Sequence, residues 1–89
     1  MVNWNLIFTP EAADDFKKLD TKTRARISNR LEWLRDNFNN ITPSALSSEW
    51  RDYFKFRVSD WRIIYKINWI NNKIIIYVIN RRDKVYKRK

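Results

Sequence analysis

The sequence predicts an α+β domain of order β-α-α-β-β-β, with two N-terminal helices packed on one face of a small, mostly antiparallel sheet. Three observations carry this. The first eight residues alternate apolar and polar, the segment from about 10 to 38 has apolar residues at helical spacing, and everything from Tyr53 onward returns to alternation. Eighty-nine residues, 44% of them hydrophobic, are enough for one packed core, and the chain reads as a single domain over 1–89.

Val2, Trp4, Leu6 and Phe8 alternate with Asn3 and Asn5 as a half-buried strand does. Thr9-Pro10-Glu11 then reads as an N-cap, a proline at the first helical position and an acidic first turn. A short helix over about 10–18 carries Ala12, Phe16 and Leu19 on one stripe. Asp20 or Thr21 caps a second helix, whose core stripe is Ile27, Leu31, Leu34 and Phe38. Asn39-Asn40 stops it, because asparagine tolerates the left-handed cap. Residues 41–52, with Pro43 and several serines, read as a loop or irregular edge.

Three strands follow. Phe54, Phe56 and Val58 alternate with Tyr53, Lys55 and Arg57, and Trp61, Ile63, Tyr65, Ile67 and Trp69 alternate with Arg62, Ile64, Lys66 and Asn68. Ile74 to Ile79 is apolar on both faces, as a central strand would be. Ser59-Asp60 and Asn71-Asn72 occupy the hairpin turns. Two-residue turns set Val58 opposite Trp61, Arg57 opposite Arg62, Ile70 opposite Lys73, Ile64 opposite Ile79 and Arg62 opposite Arg81. Arg57, Arg62 and Arg81 then form one row away from the helices, followed by Lys55, Ile64 and Ile79, and then by Tyr53, Lys66 and Tyr77. Phe54, Phe56, Val58, Trp61, Ile63, Tyr65, Ile67, Ile74, Ile76 and Val78 point to the helices. A three-residue loop with a bulge would scramble the row.

Composition narrows the chemistry. The chain has no cysteine, histidine or glycine. Disulfides, thiolate and histidine catalysis, a Cys/His metal site, a P-loop and a Rossmann fingerprint are therefore excluded, and no metal or cofactor is expected. No apolar run reaches the ~20 residues of a membrane span, and Met1 to Thr9 lacks the basic start of a signal peptide. A cytoplasmic protein without membrane contact is expected.

The net charge is +9, and its distribution is uneven. Residues 1–50 hold seven basic and seven acidic residues, whereas residues 51–89 hold twelve basic ones against Asp52, Asp60 and Asp83. A charged half favours a polyanion-binding face over charge kept for solubility, which would be spread evenly. Like charges opposite one another destabilise a sheet, so the arginine row calls for an anion, a carboxylate or water to screen it. Beside aromatic rings it suits phosphate and stacked bases; alternatively, it is a solvated face whose arginines shield apolar neighbours. Arg81, Arg82, Lys84, Lys87, Arg88 and Lys89 make the end of the chain its densest basic run, with Val85-Tyr86 a docking point within it.

These residues resemble the RelE/ParE superfamily of bacterial type II toxins, and within it the RelE-like ribosome-dependent mRNA interferases. The likeness runs nearly end to end: Phe8-Thr9-Pro10-Glu11-Ala12, Lys18-Leu19-Asp20, Phe56-Arg57-Val58, Trp61-Arg62-Ile63-Ile64-Tyr65, Val78-Ile79-Asn80-Arg81-Arg82 and Val85-Tyr86. The resemblance implies an endoribonuclease that enters the ribosomal A site, cuts mRNA through attack of a ribose 2′-hydroxyl on the adjacent phosphate, and arrests translation. It implies catalytic roles for Lys55, Arg62, Arg81 (with Arg82 one residue away) and Tyr86. It implies RNA contacts around them, for which Tyr53, Arg57, Lys66, Tyr77, Arg82, Lys84 and Lys87 are the candidates. The implied partners are mRNA, the ribosome with its rRNA, and a cognate acidic antitoxin. The family's second catalytic lysine falls at Tyr53, leaving Lys66 to supply that cation, and loop glycines are replaced by Ser48 and Asp52. The ParE branch, which poisons DNA gyrase, shares the fold without the cationic cluster, so the cluster favours RelE. A non-catalytic RNA- or ribosome-binding module would use the same basic face.

Overall fold

Thr9 ends the first strand and begins the first helix. Its hydroxyl accepts from the Ala12 amide at 3.1 Å, Pro10 occupies the first turn, and the Thr9 amide donates to the Ile76 carbonyl. In the computed structural model, which describes residues 3–46 and 50–81, this junction joins strand β1 (Asn5–Phe8) to helix α1 (Pro10–Lys17). Helix α2 (Thr21–Asn37) follows with Asp20 at its N-cap, and a 3-10 turn over Phe38–Asn40 ends it. The remaining strands are β2 (Ser44–Ala45), β3 (Phe54–Val58), β4 (Trp61–Asn68) and β5 (Lys73–Arg81). The sheet runs β1-β5-β4-β3-β2, parallel between β1 and β5 and antiparallel elsewhere. This is the expected α+β arrangement, with one strand more than the sequence reading: the segment expected to be irregular contains β2, which pairs Ser44 and Ala45 with Lys55 and Phe54.

Both helices cover one face. Ala12, Leu19, Ile27, Leu31, Leu34 and Phe38 pack on Val58, Ile63, Tyr65, Ile74, Ile76 and Ile79, all buried. Burying an aliphatic side chain of this size is worth roughly 1.5–3 kcal/mol, and this cluster supplies most of the driving force. Two polar ties fix its rim. The Trp4 indole N–H donates to the Asn39 side-chain oxygen at 2.9 Å. Asp15 accepts from the Ile79 amide at 3.1 Å, at a point where β1 has ended and left the edge of β5 without a partner strand. Among the described residues no helix is long and apolar enough to cross a membrane.

The two hairpins differ. Between β3 and β4, Val58 pairs with Trp61 and Arg57 with Arg62 as expected, with Ser59 taking the positive φ of 57° that the turn needs. Between β4 and β5 the expected register fails twice. The Asn68 side-chain oxygen accepts from the amides of Ile70 and Asn71, at 3.1 and 3.0 Å. That Asx turn makes a four-residue loop, so Lys73 pairs with Asn68 rather than Ile70. A β-bulge then places Tyr77 as an extra residue between the pairs Tyr65–Ile76 and Ile64–Val78. Beyond it, Ile63 faces Ile79, Arg62 faces Asn80 and Trp61 faces Arg81. The bulge turns Ile79 toward the helices and Val78 away from them, the reverse of the expected alternation. Nothing in the residue types opposes this, because β5 is apolar on both faces and a one-residue slip exposes no polar group.

Candidate functional site

The face away from the helices is not a bare solvent face. Trp50, Ile64 and Val78 are buried there as a second, smaller core, with Leu46, Tyr53 and Tyr77 packed around it. Trp50 lies edge-on to Tyr53 at 5.1 Å, and Tyr53 edge-on to Tyr77 at 5.3 Å. The Lys66 ammonium sits 4.7 Å from the Tyr53 ring centre and 5.7 Å from that of Tyr77. The Tyr53–Lys66–Tyr77 row expected from the sequence is thus brought together, since the bulge at Tyr77 leaves that ring on the same face. It forms a cation held between two π faces, which leaves Lys66 less free to bind phosphate.

The cationic row is shorter than expected. Arg57 and Arg62 are cross-strand neighbours, but the third position belongs to Asn80. Arg81 is displaced to the helix side, where its guanidinium lies 6.0 Å from the Trp61 ring centre. Its backbone amide is held by the Asn80 side chain at 2.8 Å. The expected pairing of Arg62 with Arg81 is corrected by the bulge.

What gathers at Arg57 and Arg62 instead is a cleft of about 490 Å³ that wraps the edge of β3. The edge is open because β2 covers only Phe54 and Lys55. Lys55, Arg57 and Arg62 enter from the strands, and Arg30 enters from α2. Trp33, Phe56, Tyr65, Ile41 and Pro43 supply apolar wall, and Thr42 and Ser44 supply hydroxyls. Among the described residues lining it there is no acidic side chain. Arg57 donates from Nε to the Ser59 carbonyl at 3.3 Å, which ties it to its own turn.

Arg30 and Trp33 are site residues that sequence reasoning missed. They lie three positions apart on α2, so their side chains share one helix face. The Arg30 guanidinium lies 4.7 Å from the Trp33 ring centre and 5.5 Å from that of Phe56. Trp33 and Phe56 are nearly parallel, at 9° with centres 6.4 Å apart. The signal was available: Trp33 falls outside the Ile27-Leu31-Leu34-Phe38 stripe, an unusual place for a tryptophan on a helix.

Tyr65 reaches the cleft from the core. It stacks on Phe54 at 5.7 Å, and burial pushes its phenol up to about 12. At neutral pH it is a protonated hydroxyl and no base. Tyr86, Arg82, Lys84 and Lys87 lie outside the described residues.

The chain's likeness to known proteins follows the same lines. The model of the family described as "ParE toxin of type II toxin-antitoxin system, parDE" matches residues 6–86. No curated protein matches the sequence significantly. Among solved structures, the toxin–antitoxin complex RelBE2 from Mycobacterium tuberculosis aligns with a TM-score of 0.80 at 22% identity, covering 91% of this chain and all (100%) of that one. The isolated E. coli RelE toxin aligns at 0.73 with 15% identity, covering 88% and 83%. The YoeB dimer from Staphylococcus aureus aligns at 0.68 with 24% identity, covering 89% and 97%. At these identities the likeness establishes the fold.

Proposed function

Because the chain belongs to the ParE toxin family of type II toxin–antitoxin systems, with a fold shared by RelE and YoeB, we propose that it acts as a RelE-like endoribonuclease on ribosome-bound mRNA. One observation carries this: Arg30, Lys55, Arg57 and Arg62 converge on a single cleft with aromatic walls. RNA cleavage needs no metal or histidine if charge is stabilised elsewhere. The ribose 2′-oxygen attacks the adjacent phosphorus, its proton leaves, and the P–O5′ bond breaks. The products are a 2′,3′-cyclic phosphate and a 5′-hydroxyl, formed as the leaving 5′-oxygen takes up a proton. Negative charge builds on the non-bridging oxygens as the bond to the 2′-oxygen forms. Guanidiniums fixed beforehand by a sheet stabilise that charge without reorganising. Arg62, half-buried and next to Arg57, is the phosphate clamp, and Lys55, on the same strand as Arg57, neutralises the 2′-oxygen or the leaving 5′-oxygen. The phenol of Tyr65, buried and protonated, is not the base. The family resemblance gives Tyr86 one of two roles, stacking on a base or helping to move the proton. Isolated RNA is a poor substrate, because the ribosome holds the codon in attack geometry.

The partners follow from the same charge. A cognate antitoxin, acidic in the segment that covers the cleft, complements the cationic side chains of Arg30, Lys55, Arg57 and Arg62 that line it. A gyrase-directed toxin is the second reading, favoured by the family model itself, which is that of ParE.

The test is primer extension on a reporter mRNA in a purified translation system, with ribosomes present and omitted. Codon-phased cuts that need ribosomes and vanish in Arg62→Ala are expected. No cutting by the unmutated chain, with gyrase–DNA breaks instead, moves the protein to the gyrase-directed reading. Ribosome binding without cutting leaves it a non-catalytic module.

A further inference from the structure

We infer that Trp33 is a stacking surface for one nucleobase of single-stranded RNA, placed so that the neighbouring phosphates enter the Lys55–Arg57–Arg62 cleft. The inference rests on the RNA-directed reading above and adds to it a recognition element on α2. Trp33 is 41% exposed, one of the few large apolar side chains left open on the described surface. A lone exposed aromatic needs no explanation. This one is different in three respects. It lines the cationic cleft. Its ring is held parallel to Phe56, at 9°, so its orientation is set by the sheet. Arg30 lies over it at 4.7 Å, which supplies a cation for a phosphate or a guanidinium plane for a base.

A base is the occupant that fits. A rigid indole beside positive charge, with no acidic group lining the cleft among the described residues, repels cationic ligands. It attracts a ligand that is planar at one end and anionic at the other. Nucleotides are that ligand, and stacking tolerates any base because every base has a π face.

The experiment uses the full chain and a short single-stranded RNA. The RNA carries 2′-O-methyl groups, so it cannot be cut, and 2-aminopurine at successive positions, whose fluorescence is quenched on stacking. The unmutated chain should quench one position strongly. Trp33→Ala should lose that quench and bind the RNA about tenfold more weakly, while Trp33→Phe, which keeps a π face, should restore most of both. Arg30→Gln should weaken binding but keep the quench. Equal quenching by Trp33→Ala and the unmutated chain overturns the inference, as does the absence of a quenched position in the unmutated chain. The uncuttable RNA separates this from the nuclease reading. Trp33-dependent quenching by a chain that never cuts on ribosomes overturns only the latter; ribosome-dependent cutting without a quenched position overturns only the former.

Discussion

The two hairpins that share β4 close in different ways. The β3–β4 hairpin runs in unbroken register from Phe54–Tyr65 to Val58–Trp61, turning on Ser59 with φ at 57°. The β4–β5 hairpin turns on a four-residue loop held by Asn68 and carries a bulge at Tyr77. In the first, Lys55, Arg57 and Arg62 face away from the helices, with Ile64 the one uncharged residue among them, so alternation is enforced by desolvation of the charged three. In the second, Ile75 and Val78 take outward positions that Tyr77 shares, and no polar group resists a slip. The site is built on the hairpin whose register is pinned, and the bulged hairpin supplies the packing behind it. Arg81 follows the bulged strand and leaves the row.

The sharpest way to break this contrast is kinetic. Arg62→Ala should retain its fold and lose about 10²–10³ in ribosome-dependent cleavage rate, the cost of removing one preorganised donor. Arg81→Ala should lose less than about tenfold. Equal losses in the two variants would return Arg81 to the site and remove the bulge as the cause of the difference.

Stability distinguishes the faces. Without a bulge Ile75 and Ile79 share a face; with it they lie on opposite ones. Urea unfolding should show Ile79→Ala costing about 2–5 kcal/mol, as a cavity in the main core. Ile75→Ala, half-buried on the outer face, should cost about 1 kcal/mol. Similar costs would restore the simple alternation.

How much of this was legible in the residues follows from the same physics. The helix boundaries were, because Thr9-Pro10 and the Ile27-Leu31-Leu34-Phe38 stripe carry their own signals. The Arg57–Arg62 pairing was, because the alternation on either side of Ser59-Asp60 keeps one register when those two residues form the turn. The bulge was not, because Ile74 to Ile79 reads the same in either register. The outer core was not, because Trp50 reaches Ile64 and Val78 from a segment whose serines and proline read as loop. Arg30 and Trp33 join the cleft through tertiary packing on β3, which no local spacing encodes.

Alkaline unfolding probes where β4 meets the core. The folded state keeps the Tyr65 proton up to about 12, above the ordinary value of 10.0. Tyr65 therefore contributes stability that is present below pH 10 and lost as pH rises toward 12. Tyr65→Phe should remove that component, so its unfolding midpoint should fall less between pH 10 and 12 than that of the unmutated chain. Parallel decline in the two proteins would mean that the phenol titrates in solvent.

The smallest effect belongs to the pinned turn itself. Ser59 adopts a conformation that costs a residue with a side chain roughly 1 kcal/mol, so Ser59→Gly should raise stability by up to about that amount in thermal unfolding. Asn72, at φ 56° in the other turn, should gain less from Asn72→Gly, because asparagine already tolerates the region.

The strand order also governs when the cleft can form during synthesis. β5 lies between β1 and β4 and so joins the earliest strand to the rest, yet it is translated after all of them. Until it emerges, β1 has no partner, and the helix stripes lack Ile74, Ile76 and Ile79 to pack on. The Arg57–Arg62 hairpin would be left on an incomplete core, and a two-stranded hairpin alone is marginal in water. Long-range pairing of this kind is slow to form. A nascent chain therefore cannot assemble its cationic cleft until β5, the strand that completes the core behind it, has been made.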